Sequence, residues 1–151
     1  MKAAKLIIIG VCPALAGCLL DPAFRSASFL SNSTLMGMGM LVLWGVVAYL
    51  LTDRSRKTLP QVLLLNGFGI VMLGLNLLQS YLFGHYWMNP IGYISQVYFL
   101  PCLNGSLKAF GSVFGAKSLP ESVCDASMVT FVCMFLVSLA GSAIKQIAKK
   151  Q

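Results

Sequence analysis

The stretch that decides the fold is VLLLNGFGIVMLGLNLLQSYLF, residues 62–83, which contains no Asp, Glu, Lys, Arg or His. A helix of about 20 residues, rising 1.5 Å per residue, crosses the roughly 30 Å hydrocarbon core of a bilayer. A charge at the centre of the bilayer costs about 2.5–3.5 kcal/mol, so a run of this length without one is typical of lipid-embedded helices. The stretch therefore predicts a membrane-spanning helix.

Three further stretches are long and mainly apolar, and of these, residues 34–52 and 128–144 contain no Asp, Glu, Lys, Arg or His. Residues 34–52 and 120–144 are long and apolar, and residues 3–20 form a weaker candidate because Lys5 lies near their start. The chain has 151 residues, of which 58% are hydrophobic, so no separate soluble domain fits. We predict one domain over residues 1–151, an all-α integral membrane protein built as a four-helix transmembrane bundle.

The basic residues indicate an orientation, because Lys and Arg are retained on the cytoplasmic side of short loops. The four-span arrangement divides them eight against three. The cytoplasmic group is Lys2, Lys5, Arg54, Arg56, Lys57, Lys145, Lys149 and Lys150, and the outer group is Arg25, Lys108 and Lys117. Both termini are therefore predicted to be cytoplasmic. The net charge of +7 comes from span ends rather than from a basic patch, which argues against a nucleic-acid partner.

Residues 86–117 differ from the spans and leave the number of crossings open. A five-span alternative, in which residues 90–113 also cross, gives a weaker seven-to-four division of the basic residues. Pro101, Asn104 and Lys108 make that segment a poor lipid-facing helix, so we favour four spans. The aromatic side chains of its first half, including Tyr98 and Phe99, indicate an interfacial belt. The segment is predicted to lie on the membrane surface or to re-enter the bundle.

The N-terminal region has two interpretations. Lys2 and Lys5 before an apolar run are typical of a secretory signal. The run Leu15-Ala16-Gly17-Cys18 resembles the lipobox of bacterial lipoproteins, and that resemblance implies cleavage before Cys18 and its lipidation. Leu19 and Leu20 follow in place of the usual polar tether. We favour a first transmembrane helix whose small residues, such as Gly10 and Gly17, contact a neighbour.

Two helix starts are marked by the capping-box pattern, in which a hydroxyl and a Gln or Glu cap each other's backbone groups. The patterns are Thr58-Leu59-Pro60-Gln61 and Ser118-Leu119-Pro120-Glu121. Proline costs little in a first turn, whose N–H groups lack helical partners.

Polar residues of the third span form the candidate site. Asn66, Asn76 and Gln79 either hydrogen-bond neighbouring helices or line a ligand pocket. The pocket would continue outward through His85, Trp87, Asn89, Gln96 and Asn104. Such an uncharged lining suits a neutral or zwitterionic solute.

The remaining reactive residues do not form a recognised centre. The chain has one His and five Cys without a C-x-x-C pair, so no metal or cofactor is predicted. Cys102 and Cys124 both fall in the predicted outer loop, where a disulfide would be compatible with an oxidising compartment. No nucleophile lies beside a base, so no catalytic residue is predicted.

Two functions therefore compete. The first is a solute carrier, or a solute-binding membrane component, that uses the third-span amides. The alternative is a non-catalytic accessory or assembly subunit, whose helix faces bind a larger membrane partner or a second copy of the chain. The lipid bilayer is the common partner in both.

Overall fold

The fold is described by a computed structural model covering residues 2–24, 33–53, 57–85, 87–110 and 123–148. Every regular element in these ranges is helical, which confirms the all-α class. The elements are α1 (Lys2–Gly10), α2 (Cys12–Phe24), α3 (Ser33–Leu51), α4 (Thr58–Leu65), α5 (Gly67–Leu77), a π-helical turn (Leu78–Leu82), α6 (Pro90–Val97), α7 (Leu100–Phe110) and α8 (Val123–Ile147).

Three helical stretches are long and apolar enough to cross a membrane: Ala4–Pro22, Thr34–Leu51 and Cys124–Ile147. A fourth is added if Thr58–Leu65 and Gly67–Leu82, which meet at an angle of 55°, form one bent span. These stretches coincide with the four predicted spans apart from a few residues at their ends.

Two of these stretches are interrupted for identifiable reasons. The break at Val11 precedes Pro13, which has no N–H to donate and whose ring crowds the preceding helical turn. The bend in α4–α5 falls at Asn66-Gly67, where Asn66 Nδ2 donates to the Val62 carbonyl at 2.9 Å. A side chain that competes for helix carbonyls, followed by glycine, is a common cause of kinks. Residues 62–83 were predicted to form one membrane-spanning helix, and this bend was not expected.

Helix α4 begins at Thr58 as predicted, but the predicted capping box is wrong. The N-cap is Lys57, and it makes no side-chain cap hydrogen bond. Gln61 Nε2 instead donates to the carbonyls of Asp53 at 2.9 Å and Lys57 at 3.2 Å. Gln61 therefore binds the backbone of the preceding turn, and the Thr58 hydroxyl does not cap the helix. The second capping pattern, at Ser118–Glu121, lies outside the described residues.

The helices share a basic end, which we define by Lys5, Asp53 and Lys145, because these residues line one cavity. Lys145 Nζ donates to the carbonyls of Leu50 at 2.8 Å and Thr52 at 2.6 Å. Cations stabilise the free carbonyls at the C-terminus of a helix, here that of α3. Helix α1 therefore begins, and α3 and α8 end, at the same end of the molecule.

Helices α6 and α7 form a hairpin that starts from the opposite end. Tyr93 on α6 donates its hydroxyl to Asp21 Oδ2 at 3.0 Å, near the end of α2. One turn later, the Val97 carbonyl lies against Gly17, where there is no room for a Cβ atom. Helix α6 therefore runs antiparallel to α2, towards the basic end.

The tip of the hairpin is buried. Tyr98 and Phe99 are each 1% exposed, and the Tyr98 hydroxyl donates to the Gly10 carbonyl at 3.2 Å. Gly10 is eleven residues from Asp21, or about 16 Å of helix. The prediction that Tyr98 and Phe99 belong to an interfacial belt is wrong, because both rings fill the core.

Helix α7 then returns towards the end where α6 started. Cys102, just after the tip, lines a cavity together with Met40 of α3. Gly105 lies directly against Gly37, which is three residues nearer the start of α3. The described part of the 86–117 segment thus packs against the other helices, and it does not run from one end of the molecule to the other.

Candidate functional site

A cluster of buried amides joins the bent helix α4–α5, which continues through the π-helical turn Leu78–Leu82, to the hairpin. Gln79 Nε2 donates to Ser95 Oγ at 3.0 Å, and Gln79 Oε1 accepts from the Trp87 backbone N–H at 2.8 Å. Asn76 Nδ2 donates to the Ser95 carbonyl at 3.0 Å and to Ser127 Oγ at 3.1 Å. Asn76, Gln79 and Ser95 are all fully buried. The cluster therefore fixes the position of α6 through short, specific contacts.

One acceptor of this cluster is unused. Asn76 Oδ1 is buried and has no hydrogen-bond partner. Exchanging the amide oxygen and nitrogen does not remedy this, because the Ser95 carbonyl needs a donor where Nδ2 now stands. A buried polar atom without a partner is rare and energetically costly. The Asn76 oxygen is therefore able to accept one more hydrogen bond.

Asn66 forms a separate contact, in the bend of α4–α5. Its Oδ1 accepts from Trp44 Nε1 at 3.2 Å, and its Nδ2 donates to Ser138 Oγ at 3.2 Å. The side chain is 1% exposed. Asn66 therefore ties three helices together with both ends of its amide engaged.

The outer members of the predicted site lie at the surface. His85, Trp87, Met88 and Asn89 line an open concavity of about 470 Å³. Asn89 also caps α6, because its Oδ1 accepts from the Gly92 N–H at 2.8 Å. Gln96 and Asn104 are half-buried at other positions of the hairpin. The eight predicted residues therefore do not surround one cavity. Trp87 links the surface group to the amide cluster through Gln79.

A stripe of hydroxyl residues on α8 was not predicted from the sequence, and two of them, Ser127 and Ser138, accept hydrogen bonds from Asn76 and Asn66. Ser127, Thr130, Ser138 and Ser142 of α8 are each at most 2% exposed. At 100° per residue they fall within about a third of the helix circumference. That helical spacing was the available signal, since a polar stripe on an apolar helix indicates the side that faces other helices.

The disulfide considered possible between Cys102 and Cys124 is not formed, and both cysteines are free. Cys102 packs in the core cluster that contains Cys133. Cys124 is nine residues from Cys133 on α8, or about 13 Å along the helix axis. Cys102 therefore lies near the part of α8 that carries Cys133, and not near Cys124. Cys18, the residue of the lipobox resemblance, is exposed on α2.

Two cavities lie between α1–α2 and α3. The end cavity, of about 380 Å³, is lined by Lys5, Leu6, Leu50–Asp53 and Lys145. The middle cavity, of about 270 Å³, has Pro101 and Cys102 of the hairpin tip at its inner side. Its walls include Ile9, Cys12 and Ala16 on one side and Met40, Leu43 and Val47 on the other.

Within the part of the chain that the structure describes, no three His, Cys, Asp or Glu side chains are grouped so that they could hold a metal ion. The chain matches no protein-family model, no curated protein and no solved structure. Function must therefore be argued from the geometry of the molecule itself.

Proposed function

We propose that the chain is a multi-pass membrane protein with four spans, a re-entrant hairpin at residues 90–110, and both termini in the cytoplasm. The shared basic end of α1, α3 and α8 supports this arrangement, because an even number of crossings returns the chain to the side where it began. The excess of Lys and Arg at that end supports its cytoplasmic orientation.

We further propose that the protein is a carrier or binding component for a neutral or zwitterionic solute. The observation that carries this proposal is the meeting of two interrupted elements in the interior. Phe68, just after the bend of α4–α5, packs on Tyr98 at the hairpin tip with ring centroids 5.6 Å apart. Broken helices and re-entrant segments are tolerated at membrane depth only where protein buries them or where they line a cavity, and transporters use them to form solute sites.

In this proposal the hairpin is the moving part. With the hairpin in place, Asn76 and Gln79 bind Ser95 and the Trp87 backbone. Movement of α6 away from α5 would free these amides towards the surface concavity at His85 and Trp87. The exposed groups would be uncharged donors and acceptors, which suit a solute without net charge.

A reversible lock tests the movement. Ser106 on α7 and Cys133 on α8 are buried neighbours, so Ser106→Cys brings two thiols together that oxidation can join. The variant is made with Cys12, Cys18, Cys102 and Cys124 replaced by serine, and is reconstituted in liposomes with labelled amino acids, betaine and monosaccharides. Oxidation should stop the uptake of any of these solutes that the protein transports, and reduction should restore it.

The control carries Ser106→Cys and Cys133→Ser, which cannot form the disulfide. Unchanged uptake in the oxidised variant would refute a moving hairpin.

A second function, that of a non-catalytic accessory subunit, is favoured by the engagement of the amides. Asn66 and Gln79 use both their oxygen and their nitrogen in contacts within the chain. Amides committed in this way act as structural ties and leave no group for a solute. Under this function the chain extracted from its own membrane in mild detergent migrates on native gels in a larger complex, and the oxidised Ser106→Cys lock leaves that complex intact.

A further inference from the structure

The end cavity and the middle cavity continue one another. Leu6 lines the first and Ile9 the second, one helical turn apart on α1. On α3, Leu50 lines the first and Val47 the second, again one turn apart. We call the two together the groove. It runs between α1–α2 and α3 from the basic end to the hairpin tip.

The groove is open along its side. Leu43 is 53% exposed and Cys12 is exposed, although both line the middle cavity. Its inner side is closed by Pro101 and Cys102, which are buried at the hairpin tip. From Lys5 to Ala16 the α1–α2 wall covers about 16 Å, close to half of a hydrocarbon core of about 30 Å. The groove thus has the depth of one leaflet.

Its polarity changes along that length. The middle cavity is lined almost entirely by apolar side chains, whereas the end cavity carries Lys5, Lys145 and Asp53. These three charges sum to +1, and Arg54 and Arg56 follow Asp53 closely in sequence. Basic groups at the cytoplasmic surface beside a helix groove attract anionic lipid headgroups. An apolar slot one leaflet deep, with cations at its surface end, matches an amphiphile with a negative head.

We propose that the groove binds one anionic phospholipid of the cytoplasmic leaflet. Its phosphate would sit at the end cavity near Lys5 and Lys145, and one acyl chain would follow Leu6, Ile9 and Cys12 to the hairpin tip. This inference rests on the proposed membrane embedding, but it does not depend on whether the protein carries a solute. The groove ends at the hairpin tip, at mid-membrane. The acyl chain would therefore contact the hairpin, which is the part proposed to move during transport.

Native mass spectrometry of the full chain, delipidated in detergent and titrated with phosphatidylglycerol or phosphatidylcholine, tests the proposal. One phosphatidylglycerol should bind in preference to phosphatidylcholine. Lys5→Gln should weaken phosphatidylglycerol binding about fivefold, because one Lys or Arg near a membrane surface raises the affinity for anionic lipid by about that factor. Lys57 is exposed and does not line the groove, so Lys57→Gln serves as the matched control and should change binding less than twofold.

The apolar half of the groove has its own pair of variants. Ala16→Phe should fill the middle cavity and weaken binding of both lipids about tenfold or more. Ala140→Phe places the same side chain on an exposed position of α8 and should leave binding unchanged. Equal binding of the two lipids, or equal effects of the two phenylalanines, would overturn the proposal. A chain that dissolves without detergent would instead refute the membrane embedding on which it rests.

Discussion

Gln79 and Ser95 are joined by a 3.0 Å hydrogen bond that fastens the bent helix α4–α5 to the hairpin. The same glutamine accepts from the Trp87 N–H, so one side chain holds both the start of the hairpin and its first helix. A buried amide in this position acts as a structural tie whose loss leaves its partners without hydrogen bonds.

Replacing Gln79 by Leu should therefore destabilise the protein. The change leaves the Trp87 N–H without its acceptor, and an unsatisfied buried group costs about 1–3 kcal/mol. Thermal unfolding in detergent, followed by tryptophan fluorescence, measures the loss. Gln96→Leu is the matched control, because Gln96 is only half-buried on the same hairpin and should cost less. Equal losses for the two variants would contradict the role given to Gln79.

Gly17→Ala should separate α2 from the hairpin. A Cβ atom on Gly17 would overlap the Val97 carbonyl, and forcing extra atoms into a packed interface costs about 1–3 kcal/mol. Gly39→Ala is the control on α3, where a Cβ atom meets nothing within 4 Å. That variant should be neutral or stabilising, since alanine favours helix more than glycine does. A melting temperature unchanged by Gly17→Ala would show that the two helices are not in contact.

Asn76→Asp and Asn89→Asp make the same chemical change in opposite surroundings. At position 76 the new carboxylate oxygen faces the Ser95 carbonyl in place of Nδ2, so an acceptor meets an acceptor in a buried site. At position 89 the side chain only accepts from the Gly92 N–H, and aspartate caps a helix as well as asparagine. Unfolding measurements should give a loss of about 3 kcal/mol or more for the first and about zero for the second. A harmless Asn76→Asp would be incompatible with the buried donor role of Asn76.

Cys102 and Cys124 should remain free even when the protein is expressed in an oxidising compartment, because Cys102 on α7 packs in the cluster that contains Cys133, about 13 Å along α8 from Cys124. Denaturation with iodoacetamide and no reductant, followed by mass spectrometry, should give an adduct on each of them. A cross-linked peptide joining Cys102 to Cys124 would contradict this geometry.

The helical class and the long apolar elements could be predicted from the sequence, since length and lack of charge both follow from local composition. The start of α4 at Thr58 could also be predicted, because it depends on the neighbouring residues of the sequence. The bend at Asn66-Gly67 was missed because the sequence does not say which groups the Asn66 side chain contacts, and the structure shows that it donates to both the local Val62 carbonyl and the distant Ser138 hydroxyl.

The hairpin tip shows the same limit more clearly. Tyr98 and Phe99 have amphipathic or apolar rings that suit both a membrane interface and a core. Their burial is decided by Gly10, whose carbonyl receives the Tyr98 hydroxyl from 88 residues away. Of the candidate site, the three amides were identified as important, and the structure supplies their serine partners, which no local pattern connects to them.

Cysteine labelling from each side of the membrane tests the central claim, that residues 90–110 enter and leave at the same face. Single cysteines at Met88, Lys117, Lys57 and Gln151 in a cysteine-free chain would be treated in intact cells with a membrane-impermeant maleimide. Positions 88 and 117 should be labelled from outside, and positions 57 and 151 only after the membrane is permeabilised. Labelling of positions 88 and 117 from opposite sides would mean that the segment crosses the membrane, and would contradict the hairpin.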